Sequence, residues 1–272
     1  MAQFEINDGV AIIPEGAIEI GTETFYGCTP LESVIIPESV VKIGDDAFGG
    51  CTSLKSITLP ESITSIGWDA FNGCTSLKNV TLPNSVTFLG ESAFSHCTSL
   101  ESITISRSVT KIEHYAFDGC SSLKSIIIPE SVIKIGIGAF RCCTSLKSIT
   151  IPESVAEIGC YAFMGCTSLK NITIPKSVTR IEQNAFKGCT SLESITIPES
   201  VREVEEYAFE GCTSLTTVTL PVGMKEINLT AFYKCPSLST IYVPAKKTDY
   251  YKELLPEKLH DKIGNTDNDA PE

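Results

Sequence analysis

Residues 51–73 read Cys-Thr-Ser-Leu-Lys-Ser-Ile-Thr-Leu-Pro-Glu-Ser-Ile-Thr-Ser-Ile-Gly-Trp-Asp-Ala-Phe-Asn-Gly, and Cys74 opens the same sentence again. Within it, Ile57 and Leu59 alternate around Thr58, the pattern of a short half-buried strand. Pro60 lacks an amide hydrogen and ends any ladder there, and Ser62 is a turn residue. Ile63 and Ile66 mark a second extended segment closed by Gly67. Asp69-Ala70-Phe71 reads as one short helical turn, with the carboxylate placed to accept orphan amide hydrogens. The Gly73-Cys74 pair then sends the chain back to the next leucine.

Outward from this stretch the same columns recur every 23 residues. Cysteine stands at positions 28, 51, 74, 97, 120, 143, 166, 189, 212 and 235, and phenylalanine keeps the same step from Phe25 to Phe232. Leucine runs from Leu31 to Leu238, and proline from Pro14 to Pro244 with one break at Ser106. Four columns in phase over ten copies define a repeat array. About eight positions per coil point inward. An isolated coil does not bury enough through them to offset the entropy of ordering its chain, so coils must stack and bury each other's open faces. Each core column then becomes a ladder of one residue type.

The motif Leu-x-x-Ile-x-Ile-Pro-x-Ser-Val-x-x-Ile-Gly-x-x-Ala-Phe-x-Gly-Cys-x-Ser, present in coil after coil from residue 14 to residue 244, resembles the BspA-like leucine-rich repeat family. The resemblance implies a leucine-rich-repeat solenoid: right-handed, mostly β, with a parallel sheet made by the Leu-x-x-Ile-x-Ile segments. It also implies adhesion or protein binding at cell surfaces, and it brings no catalytic residues that can be carried over.

The expected organisation is capping strands over residues 1–13, about ten repeats over 14–244, a short helical C-terminal cap over 245–263 and a disordered tail over 264–272. Asp8-Gly9 supplies a hairpin-type turn at the first end. At the other, Tyr250, Tyr251, Leu254, Leu255, Leu259 and Ile263 have helical spacing, and Pro256 starts a new helix.

The formal net charge of −12 argues against nucleic-acid binding, which needs a basic surface, and against an electrostatic anchor on anionic lipid. No apolar run is long enough for membrane insertion. Met1-Ala2-Gln3-Phe4-Glu5 lacks the features of a secretory signal. The chain as it stands therefore reads as cytoplasmic with reduced thiols, or as a surface protein from which an export signal has been removed. A monomer is expected.

Regular spacing sets the cysteine ladder apart from metal ligands, which must converge, and parallel side chains suit disulfides poorly. No metal or cofactor is expected. Cys142 and Cys160 stand outside the ladder and are the thiols expected to oxidise. The histidines His96, His114 and His260 fall in no motif for metal or nucleophile chemistry, and no glycine-rich phosphate loop occurs, so an enzyme is not expected.

Outward from the first strand stand a charged rank, a serine rank and a threonine rank. Their most distinctive stretch, Lys124, Ile127, Lys147, Thr150, Lys170 and Thr173, is basic with one apolar residue on an acidic protein, and is the expected partner-binding patch. Trp68 is a lone surface aromatic or an anchor for a partner. A binding or adhesion scaffold for a protein or cell-surface ligand, an intracellular structural or adaptor scaffold, and an ice-binding Ser-x-Thr array all remain open at this point.

Overall fold

The computed structural model describes residues 6–266. Those residues form a parallel-sheet β-solenoid of about 11 turns with few helices. Most coils lay two short strands against the coils before and after them, but the coil of residues 51–73 pairs only through its second, Ser65–Ile66; its Ile57-Thr58-Leu59 segment, expected as a strand, forms none, and the first ladder is interrupted there. The first ladder includes Ser33–Ile35, Asn79–Thr81, Ser102–Thr104, Ser148–Ile149, Asn171–Ile172, Ser194–Thr196, Thr217–Thr219 and Thr240–Val243. Register is set by the repeat: Ser194 faces Thr217 and Thr217 faces Thr240, one full coil on each time. Isolated bridges from Thr104 to Ile127 and from Ile127 to Thr150 carry the ladder through its middle.

The proline ends this ladder by opening a turn. The amide of Ile63 donates to the carbonyl of Pro60 at 3.1 Å, and the hydroxyl of Ser62 donates to the carbonyl of Val40 in the previous coil at 2.6 Å. The second ladder follows, from Glu19–Ile20 to Glu226–Ile227, and it breaks into three sheets. The ladder's end is a close approach between coils. In most coils this ladder ends on a glycine, such as Gly67 or Gly90, packed so closely on the previous coil that an added Cβ would lie 2.4 to 2.6 Å from its nearest atoms. Glu113, Glu182, Glu205 and Asn228 stand in that column. The first break falls between Phe88–Leu89 and Lys111–Ile112, the second between Glu157–Ile158 and Arg180–Ile181. At each break a glutamate follows a glycine in the column, Glu113 after Gly90 and Glu182 after Gly159; Glu205 and Asn228, which follow a residue with a side chain, keep their pairing.

The corner after the glycine is a string of hydrogen-bonded turns. Asp69 takes a positive φ of 52° in it, as Asp46, Ser92 and Tyr115 do in theirs, so the backbone reverses there instead of continuing as a helix. This corner also ties coil to coil, through Phe48 N to Ala70 O at 2.8 Å and Phe71 N to Ala93 O at 2.8 Å.

The core is the expected set of ladders. From Phe48 to Phe209 the phenylalanines of the ladder have no exposed surface. Neighbouring rings from Phe25 to Phe232 stack 5.0 to 5.9 Å apart, with planes within 4 to 10° of parallel. Both ends of the described chain are covered. Ile6–Asn7 pairs antiparallel with Val10–Ile12 through the Asp8-Gly9 turn, and Val10–Ile12 pairs with Ser33–Ile35. At the far end a helix, Thr248–Leu254, and a 3-10 segment, Glu257–Lys262, fold over the last coil and bury Tyr251 and Leu259. Its hydroxyls reach back, Tyr250 to the carbonyl of Met224 at 2.8 Å and Tyr251 to that of Pro221. The tail expectation needs correction at its start. Ile263–Asn265 forms a strand parallel to Thr240–Val243, because the last strand's open edge offers backbone partners that a frayed chain would leave to water. Residues 267–272 of that tail, and residues 1–5 of the first cap, lie outside the described residues.

Candidate functional site

Along the outer side of the first ladder, three depressions occupy the same place in the coil. Ile57, Thr58, Leu59, Glu61, Thr81 and Pro83 line the first, of 300 Å³. Ile103, Thr104, Arg107, Ile127, Pro129 and Glu130 line the second, of 580 Å³. The third, of 780 Å³, lies among Thr173, Thr196, Thr219, Ile174, Ile197, Leu220, Pro198, Pro221, Glu153, Lys176 and Glu199. Equivalent residues of successive coils line each, so the groove runs along the solenoid axis. Its floor is aliphatic, one wall is the threonine rank, and the other is the residue after each proline.

The strand alternation positions these groups. Ile172, Ile174 and Ile197 turn inward and are buried, which leaves Thr173 and Thr196 outward and exposed. The hydroxyls of Thr173, Thr196 and Thr219 make no hydrogen bond to the protein among the described residues. The far wall is acidic: the post-proline column reads Glu15, Glu38, Glu61, Asn84, Arg107, Glu130, Glu153, Lys176, Glu199, Val222. Two of these carboxylates also hold the wall's backbone, Glu153 accepting from the amide of Lys176 at 2.9 Å and Glu199 from that of Val222 at 3.1 Å. Ser200 lines the largest depression, and its buried hydroxyl is the one such side-chain atom without a partner among the described residues. In sister coils the same serine donates to a carbonyl of the previous coil, as Ser154 does to Val132 at 2.7 Å and Ser177 to Val155 at 2.5 Å.

The residues singled out from sequence lie on this face but in two ranks. Ile127, Thr150 and Thr173 belong to the threonine rank, and Ile127 is 82 % exposed, more than any other large apolar residue described. Lys124, Lys147 and Lys170 stand at the rank's other side. Two of them are already engaged, Lys124 with Glu101 at 2.6 Å and Lys170 with Glu193 at 3.7 Å, so the local positive charge is partly neutralised. The acidic wall escaped the reading of the sequence. Its signal was the recurring Pro-Glu-Ser, whose glutamate looks like a turn residue until the coil is closed and sets it beside the threonines.

Cys142 is exposed and Cys160 half-buried. Burial, and then the Glu182 carboxylate 3.8 Å from its sulfur, raise the Cys160 thiol above its ordinary value. The ladder thiols from Cys51 to Cys212 are buried, and burial raises them as well, Cys51 to about 12. Trp68 is 55 % exposed and shares a 350 Å³ hollow on the second ladder with Phe88, Lys42 and Asp45. Ligand atoms of Glu91, Glu113 and His114 come within 4.8 Å of one another. The His114 Nδ1 accepts from the amide of Ile137 at 2.8 Å, which assigns the neutral ring's proton to Nε2. Lys111 pairs with Glu113. A ring whose one free nitrogen carries a proton, beside a carboxylate already paired with an ammonium, fits a hydrogen-bonded cluster better than a metal centre.

The sequence matches the profile of the BspA type leucine rich repeat region, in 6 copies over residues 18–144 and 133–255. Among solved structures, the pneumococcal vaccine antigen PcpA is similar at 20 % identity and a TM-score of 0.63, over 94 % of this chain and 78 % of that one. A leucine-rich repeat protein from Eubacterium ventriosum is similar at 23 % identity and a TM-score of 0.55, over 97 % and 84 %. Both share the solenoid fold. A leucine rich cell surface protein from Faecalibacterium prausnitzii is 28 % identical over 86 % of this chain and 87 % of that one, with a TM-score of 0.43. No curated protein gives a significant match.

Proposed function

The chain belongs to the BspA-type leucine-rich repeat family, and on that premise we propose that it is a non-catalytic, adhesin-type scaffold that binds a protein or cell-surface ligand through the exposed face of its first ladder. The observation that carries this reading is the groove: one shape, with an aliphatic floor between polar walls, repeated at one place in the coil along the array. Extended faces of this kind are how stacked-repeat proteins engage partners. The groove has no aromatic plane for sugar stacking and no basic excess for a polyanion, and this favours polypeptide. No helix of the described residues is long and apolar enough to cross a membrane. The reading includes a monomer, and a contact area that takes in Lys124, Ile127, Lys147, Thr150, Lys170 and Thr173.

A second reading, an intracellular structural or adaptor scaffold, draws on the free thiols, which suit a reducing compartment. Affinity capture from host-cell surface fractions and from cytosol tests both readings. Wild type is compared with Thr196→Trp, which fills the groove, with Lys124→Glu/Lys147→Glu/Lys170→Glu, and with Tyr26→Arg as a control off this face. A partner retained by Tyr26→Arg and lost with either face variant supports the docking face, and its compartment separates the two readings. Equal recovery of every partner by all four proteins overturns it.

A further inference from the structure

We infer that the occupant of the groove at Thr173, Thr196 and Thr219 is a polypeptide segment in the polyproline II conformation, with lysine or arginine at every third position. This rests on the docking-face reading above and names the chemistry of its partner.

The period of the groove matches that of such a segment. Groove positions repeat once per coil, at the strand spacing of about 4.8 Å, so every second coil is about 9.6 Å on. A polyproline II helix turns once in three residues at about 3.1 Å each, so its like-facing side chains repeat at about 9.3 Å. It therefore stays in step with alternate coils over the length of the depression. A β-strand lying along the same axis presents like-facing side chains at about 6.8 Å, which drifts out of phase with the coils at once. Glu153 and Glu199 stand two coils apart on the same wall, at the spacing of residues i and i+3 of such a segment. Lys176 stands between them on that wall, so the acidic positions of this depression are the alternate ones, and the complementary side chains at those two positions are cationic.

The opposite wall suits the same ligand. A polyproline II backbone makes no internal hydrogen bonds and leaves its carbonyls open. The hydroxyls of Thr173, Thr196 and Thr219 are donors without partners among the described residues, one per coil. Between the walls, Ile174, Ile197, Leu220, Pro198 and Pro221 offer the apolar surface that proline rings would cover.

The test uses three fluorescein-labelled twelve-residue peptides and fluorescence anisotropy with the full chain. The peptides are repeats of Lys-Pro-Pro, of Lys-Val-Thr with the same charge and length, and of Glu-Pro-Pro. Binding of the first, about tenfold or more tighter than the second and with the third silent, is the expected result. Thr196→Trp should abolish it. Glu153→Gln/Glu199→Gln should weaken it about tenfold while keeping an acceptor for both wall amides. Equal affinity for the first two peptides, or Lys-Pro-Pro binding that survives Thr196→Trp, overturns the inference. If no peptide binds while a captured partner still depends on Thr196 or on the three lysines, the named occupant fails and the docking face stands; if no captured partner depends on any of them, both fail.

Discussion

The sulfur of Cys74 lies 3.2 Å from the carbonyl oxygen of Phe48, which also accepts the amide of Cys51 at 3.1 Å. The same thiol-to-carbonyl contact recurs 26 residues apart along the array, from Cys51 with Phe25 at 3.0 Å to Cys235 with Phe209 at 3.1 Å. Cysteine is kept at this corner as a small apolar filler that carries one weak donor, and each donor is spent on the coil before. The expected outcome for Cys120→Ala is loss of about 1 kcal/mol, a packing loss plus the weaker half of a shared hydrogen bond, because the Phe94 carbonyl keeps the amide of Cys97. Urea denaturation followed by circular dichroism checks it. A loss above about 4 kcal/mol would mean that the thiol does more than fill and donate.

The same thiols predict alkaline lability. Burial raises Cys51 to about 12 and Cys235 to about 11 from an ordinary value of 9.0. Unfolded thiols ionise first, so above pH 9 the unfolded state binds fewer protons and stability falls as pH rises; below pH 9 this contribution is constant. The denaturation midpoint should decline between pH 9 and 11. Replacing Cys97, Cys120 and Cys143 by alanine should flatten that decline, and an unchanged slope would assign it to other groups.

Asp118 is 3 % exposed and takes two bonds from Arg141, Nε at 2.9 Å and Nη2 at 2.7 Å, while the guanidinium lies 5.4 Å from the Tyr115 ring centre. Arg141→Met leaves that carboxylate unpaired and should destabilise by about 2–4 kcal/mol at neutral pH. Much of the loss should be recovered in Asp118→Asn/Arg141→Met. Additive losses in the double variant would show that the pair is not the cause.

Gly90→Ala sets a Cβ 2.5 Å from the backbone of Gly67 and should cost about 1–3 kcal/mol. Amide hydrogen exchange should locate the damage, with faster exchange at Gly90 itself, whose amide donates to Ile66 at 2.9 Å. Unchanged protection there would mean the coils are packed less tightly than the structure has them.

Brief treatment of the native protein with iodoacetamide should modify Cys142 first, Cys160 more slowly and the interior ladder thiols not at all, since exposure and thiolate fraction set the rate. Mass spectrometry of the digest gives the order. Modification of Cys143 ahead of Cys142 would contradict the burial of the ladder.

The phenylalanine and cysteine ladders were legible because a fixed period allows one packing solution, repeated; knowing where Phe71 goes places Phe94. Coil closure was not. The meeting of Glu153 with Thr173 and Thr196 depends on how sharply the chain turns at Pro152 and Pro175, and a column viewed alone does not carry that angle. Trp68 and Phe88 likewise share a hollow only because the second ladder sets neighbouring coils side by side. Nor did Glu113 announce a gap in the second ladder; the close approach at the glycines of that column exists only between coils.

Almost every tie in the array joins a coil to its immediate neighbour, whether Phe48 to Ala70, Ser62 to Val40 or Arg141 to Asp118. Mechanically this makes the protein a zipper. Tension on the two termini loads one seam at a time, and a coil that peels away leaves the next seam as strong as before. An optical trap should see a sawtooth of similar small steps in place of a single rupture, and a tether of that kind yields gradually under shear while keeping most of its groove intact.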